Sequence, residues 1–261
     1  MPQPINRIVP NARVILDTDV LDEKPDLAIL VVKIFAVWAN IERRLSVLLV
    51  HLLGADEVHA HAIFSILQTQ QLQTKAMEAA ANSALSPDDR NVFNAVMTVT
   101  NSVQSIRNRL AHWSWGKCIQ RPDLLVLGDP DGLNERDKRM AAHYQSLHPG
   151  ASLLEIAVNN QFDLSKFYGY SKADLEREVR DLLEAEMIGY FFQNFIDPSF
   201  HIAHAKIFNE SDSPDEIRAK ALHQLNGKRL FREALARIVA SQKKPPLPPH
   251  ESSSQGSDES S

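Results

Sequence analysis

In 261 residues the chain has a single cysteine, Cys118. One thiol excludes an intrachain disulfide framework and a cysteine-built zinc cluster, and it fits a reducing compartment. Glycine is scarce at nine, which disfavours turn-rich β architectures and favours helices. Long apolar runs are missing too. The most apolar stretch, 27–53, is broken by Lys33, Asn40, Glu42, Arg43, Arg44 and His51, whereas a membrane-spanning helix needs about 20 mostly apolar residues. It reads as a buried helix of a soluble protein, with no membrane partner. The opening MPQPINRIVP lacks a basic start followed by an apolar core, so no secretory leader is expected and the protein is read as cytoplasmic. There is no Walker loop, dinucleotide fingerprint, G-x-S-x-G elbow or H-E-x-x-H pair, so no cofactor and no metal is expected.

With 44% hydrophobic residues the chain can bury a substantial core. Residues 1–24 read as an irregular N-terminal arm with a short strand at 13–16. Pro25-Asp26 starts a first long helix and Gly54 stops it. Within it Lys33, Asn40, Arg44 and His51 recur as one narrow polar stripe, so most of its circumference should be covered. A second helix is expected over 56–81. Ser86-Pro87-Asp88-Asp89 is a cap, a first-turn proline and two acids near the positive helix end. The third helix that follows carries Val92, Val96, Val99, Val103, Ile106 and Leu110 as a bundle seam.

Residues 113–150 read as short extended segments, a small β-like excursion before the fourth helix. That helix opens at Ser171 and Asp174 as in a capping box and runs to about Ile196. Ser213-Pro214-Asp215-Glu216 opens an additional C-terminal helix, to about Val239. The fold class is thus mainly α: an N-terminal arm (1–24), a helical domain (25–200), a C-terminal helical extension (201–240) and a Pro- and Ser-rich disordered tail (241–261). The tail's Lys243-Lys244-Pro-Pro-Leu-Pro-Pro resembles a polyproline docking segment.

The net charge is −5, yet residues 101–121 carry Arg107, Arg109, Lys117 and Arg121 and no acid. Such a patch attracts anions; the same charges would also complement a helix dipole. On the third helix Asn94, Asn101, Ser105, Asn108 and His112 share a polar face opposite the seam. Asn108 and His112, one turn apart, can meet. Arg107 projects about 140° around the helix from His112. If the two cooperate, either the helix ends there or a second copy supplies its own pair, which points to a symmetric homodimer. Glu42 lies in the apolar face of the first helix and needs a cationic or hydrogen-bonding partner, for which Arg107 is a candidate. His59 with His61 and His201 with His204 invite a metal reading, but neither pair has a third ligand.

The string Arg107-Asn108-Arg109-Leu110-Ala111-His112 resembles the R-x4-6-H motif of the HEPN superfamily, including the polar residue that follows the arginine. The resemblance covers about residues 25–196. It implies a four-helix bundle with the motif at the end of the third helix. It also implies a dimeric, metal-independent ribonuclease of the kind found in toxin–antitoxin and anti-phage systems, with RNA as substrate and an antitoxin or other protein as a partner. Arg107, Asn108 and His112 would be its catalytic set, with Glu42, Arg109, Trp113 and Trp115 in support. The 113–150 excursion is longer than the simplest members carry.

The residue types suit that chemistry. Histidine, with an ordinary pKa of about 6.5, can move the proton of a 2′-hydroxyl near neutral pH. Arginine grips phosphate oxygens with a charged planar fork. Trp113 and Trp115 can stack bases or pack against the bundle. Non-catalytic members of the superfamily leave a second reading open, a helical module that binds RNA, a nucleotide or a protein partner. A third is a scaffold in which an Arg107–Glu42 pair only sets helix packing.

Overall fold

The computed structural model describes residues 2–67, 69–146, 162–200, 208 and 212–242. Among them the chain is mainly helical, with one small antiparallel sheet. A two-residue strand β1 (Gln3–Pro4), a single turn α1 (Ile5–Ile8) and a strand β2 (Val14–Leu16) precede the long helix α2 (Pro25–Leu53). Pro25 sits in the first turn of α2, and Gly54 ends it in the left-handed conformation (φ 56°), which only glycine adopts freely.

The single helix expected over 56–81 is two, α3 (Glu57–Ile66) and α4 (Gln70–Ala84). Asp56 caps the first. Thr69 caps the second through Leu72 N–H at 3.3 Å, a hydroxyl competing with continued helix for the same backbone donors. The motif helix α5 (Pro87–His112) begins as expected, with Ser86 Oγ accepting from Asp89 N–H at 3.2 Å.

After α5 come β3 (Ser114–Cys118), β4 (Arg121–Gly128) and a helix α6 (Pro130–Ser146) that the sequence reading missed. There Asp129-Pro130-Asp131-Gly132 reads as a turn. The same residues start a helix, because Asp129 Oδ1 accepts from Asp131 N–H at 3.0 Å and proline fits the first turn. A strand β5 (Phe167–Tyr170) leads into α7 (Lys172–Ile196), which opens on a complete Ser171–Asp174 capping box. The last helical stretch is broken at Lys228 into α8 (Pro214–Gly227) and α9 (Arg229–Gln242). The histidines at 201 and 204 and the tail from 243 onward lie outside the described residues.

Helix α7 is the axis of the bundle, packing against α2, α5 and α8. Phe93 and Phe192 meet in its core with ring centroids 6.1 Å apart. Helices α8 and α9 belong to this core: Ile217, Leu225 and Phe231 are buried in the same cluster as the α5 seam. The polar stripe of α2 divides in two. Lys33 and Asn40 are exposed beside Ile29 and Val32, also exposed, so less of α2 is covered than its composition suggests. Arg44 and His51 run under α7, where Arg44 Nη1 donates to Gln193 Oε1 (3.3 Å) and His51 Nδ1 meets Asp197 Oδ2 (2.9 Å).

The sheet order is β1-β5-β4-β3-β2, antiparallel throughout. Its central strand β4 is buried on both faces. Leu125 and Leu127 enter the helical core, while Leu124 and Val126 enter a second cluster with Ile5, Cys118 and Phe167. The expected N-terminal arm is therefore part of the sheet: its two strands occupy the two opposite edges, taking up backbone groups that would otherwise face solvent. At Gly116 a Cβ would lie 2.5 Å from the Ile15 carbonyl oxygen, so only glycine lets β2 approach this closely. The β3–β4 register shifts between Gly116 and Cys118. Beside this irregularity the buried Lys24 donates its ammonium to the Leu124 carbonyl at 2.8 Å.

Candidate functional site at the end of helix α5

Helix α5 ends where the sheet begins. Trp113 N–H closes the last turn on the Arg109 carbonyl (2.9 Å), and Ser114 already belongs to β3. The Trp115 indole N–H donates to the Leu110 carbonyl at 2.9 Å, satisfying an acceptor that a helix end otherwise leaves open. The end of the motif helix is thus held in one direction by the strand that follows it.

The expected polar face is present and outward. Asn94, Asn101, Ser105 and His112 are exposed and Asn108 is half-buried, while Val96, Val99, Val103, Ile106 and Leu110 are buried opposite. Arg107 is half-buried. Its Nη1 donates to Asn108 Oδ1 at 3.2 Å, so the guanidinium folds back around the helix toward the polar face. Asn108 in turn stands one helical turn below His112, so the three residues follow one another across the helix surface. The Arg107 Nε is buried without a hydrogen-bond partner.

The pair expected between Arg107 and Glu42 does not form. Both are half-buried, and among the described residues no ion pair or hydrogen bond joins them. The physical reason is local: the neighbouring Asn108 amide oxygen captures the guanidinium, and Glu42 is not buried deeply enough to require a cation.

Arg109 is far more elaborately built in than Arg107. Its Nη1 donates to Tyr170 Oη at 3.0 Å, and its guanidinium lies 5.3 Å from the Trp113 ring centroid and 5.6 Å from that of Tyr168. Trp113 and Tyr168 meet each other at 5.6 Å. Burial raises the Tyr170 phenol above its ordinary pKa, against the pull of Arg109. Burial also raises the carboxyl of Glu178, on α7, with Asp181 adding to the rise and Arg109 opposing it. Sequence reasoning missed Tyr168, Tyr170 and Glu178. The available signal was Phe167-Tyr-Gly-Tyr170, a short aromatic run just before the capping box, which is a strand signature.

Trp113 and Trp115 are half-buried and line an open groove with Leu16, Asp17, Thr18 and Ala111. Asp17 and Lys117 are paired at 3.0 Å. The Lys117 hydrogen bond, then the Asp19 amide, hold the Asp17 carboxyl below its ordinary range. Of the four basic residues in 101–121, three are therefore engaged elsewhere: Arg109 with Tyr170, Lys117 with Asp17 and Glu23, and Arg121 with Asp123.

The histidines of α3 are drawn apart. His59 faces Asp56 at 3.2 Å, and the His61 Nδ1 is hydrogen-bonded with Ser46 Oγ. Among the described residues no three His, Cys, Asp or Glu side chains gather into one group, and no helix is long and apolar enough to cross a membrane. Set against known protein families, curated proteins and solved structures, the chain matches none of them.

Proposed function

We propose that the protein is a HEPN-like, metal-independent endoribonuclease that works as a homodimer, with its chemistry at the exposed end of α5. The observation that carries this reading is the hydrogen bond that turns Arg107 toward the polar face of the helix. Arg107 bonds to Asn108, and Asn108 stands one turn from the exposed His112. Asn108, about 40° around the helix from His112, narrows the interval of about 140° between Arg107 and His112.

In the proposed reaction His112 removes the proton from a ribose 2′-hydroxyl. The resulting oxygen attacks the adjacent phosphorus, the bond from phosphorus to the 5′-oxygen breaks, and a 2′,3′-cyclic phosphate and a 5′-hydroxyl form. His112 of the second copy protonates the departing oxygen. Arg107 holds the phosphate oxygens as charge builds on them. The scaffold reading loses its support, since Arg107 and Glu42 are not paired. The toxin–antitoxin or anti-phage setting follows from the resemblance.

The test is cleavage of single-stranded RNA by the full chain in excess EDTA, with products read for cyclic phosphate ends. His112→Ala should lower the rate by at least about a hundredfold with an unchanged melting curve. Wild-type protein that binds RNA and never cuts it would instead establish the non-catalytic module.

A further inference from the structure

The groove at the C-terminal end of α5 spans about 1090 Å³, open solvent included. Trp113, Trp115 and Leu16 supply apolar wall, two of them flat indoles. Asp17 and Thr18 line it as well. The Asp17 side chain keeps 24% of its exposure, and its two oxygens have accepted from Asp19 N–H and Lys117 Nζ. A carboxylate has about four lone-pair sites, so it can accept further donors. Flat aromatic walls with an acceptor at the edge suit a planar heterocycle that carries N–H groups. A phosphate is disfavoured there, because Asp17 stands beside Asp19 and Glu23.

Leu110, Ala111 and Trp113 line the groove, so it opens on the flank of the helix end turned away from the His112 side chain. We infer that this groove takes one unpaired nucleobase of single-stranded RNA, selecting adenine, cytosine or guanine over uracil through the amino hydrogens that Asp17 accepts. Uracil has carbonyl oxygens at the corresponding ring positions and offers the carboxylate only its single ring N3–H, so it is held more weakly. Binding by the groove does not depend on the ribonuclease reading above.

The experiment titrates the full chain with 2′-O-methyl tetranucleotides, which lack the attacking hydroxyl and are not consumed, and follows tryptophan fluorescence. Trp38, buried in the bundle, gives a constant background. The adenine oligomer should quench saturably. Ala111→Phe, placed on an exposed helix position to fill the groove, should weaken binding roughly tenfold without moving the melting curve. The uracil oligomer should bind more weakly than the adenine one, and Asp17→Asn should erase that difference. No saturable quenching, or Ala111→Phe binding as wild type does, overturns the groove; equal binding of the two oligomers overturns the selection by Asp17. Cleavage of unmodified RNA is measured in parallel. Cutting without groove binding sinks the groove alone, and groove binding without cutting sinks the ribonuclease alone.

Discussion

The helical bundle and the five-stranded sheet share one hydrophobic core but assemble it differently. In the bundle, Phe93, Val96, Val103 and Leu110 come from one helix, and Leu175, Leu182 and Phe192 from another, each placed by the helical period of its own segment. In the sheet, Leu125 and Leu127 enter that same core only because strands from residues 3–4, 14–16, 114–128 and 167–170 meet. Contacts between such distant segments need loop closure first. The difference bears directly on the site. Arg107, Asn108 and His112 are presented by a bundle helix, whereas the direction of that helix end is held by the sheet, through Arg109 on Tyr170 and Trp115 on the Leu110 carbonyl.

The harshest test of this shared core is Phe93→Ala. Phe93 is 1% exposed against Phe192, and its truncation should cost about 3–5 kcal/mol. Because Leu125, Leu127 and Tyr170 lie in the same cluster, helix and sheet signals should melt together in urea. A sheet signal that outlasts the helical one would make the two regions independent.

A smaller effect is expected at their junction. Arg109→Met leaves the hydroxyl of the fully buried Tyr170 without its donor and should cost about 1–3 kcal/mol. Tyr170→Phe frees a half-exposed guanidinium to find water and should cost about 1 kcal/mol. The double variant should lose less than the two together by at least about 0.5 kcal/mol. Strict additivity in thermal melts would mean that the Arg109–Tyr170 contact does not couple α5 to the sheet.

The smallest effect has the opposite sign. Burial, then Asp181, raises the Glu178 carboxyl above its ordinary value of 4.5. Between that value and the raised one the folded state holds the proton and the unfolded chain has lost it, so stability falls as pH rises through this window. Above the window the full penalty persists. Glu178→Gln should therefore raise the melting temperature at pH 7 to 8 and leave it unchanged below about pH 4. A destabilised variant at neutral pH would show that Glu178 serves Arg109 as a needed counter-charge.

Much of the bundle was legible in the residues. The ends of α2, α5 and α7 follow from Pro25, Gly54, Ser86-Pro87 and the Ser171–Asp174 box, since capping is settled within one turn. Legibility failed where one string serves two purposes. Asp129-Pro130-Asp131-Gly132 satisfies the rules for a turn and for a helix start, and only the continuation into α6 separates them. At the site, the polar face of α5 could be placed from helical spacing alone. Tyr168, Tyr170 and Glu178 could not, because strand and helix partners some sixty residues away bring them to Arg109.

By itself the chain's sequence determined a mainly helical protein with one cysteine, a polar face ending at His112 and a basic run around it, because composition and helical period are properties of neighbouring residues. The tertiary structure decided which arginine is locked and which faces Asn108, that Glu42 takes neither, and that residues 2–24 close the sheet and wall the groove. Those outcomes depend on which side chains, far apart along the chain, compete for the same donor or acceptor once packing has brought them within reach.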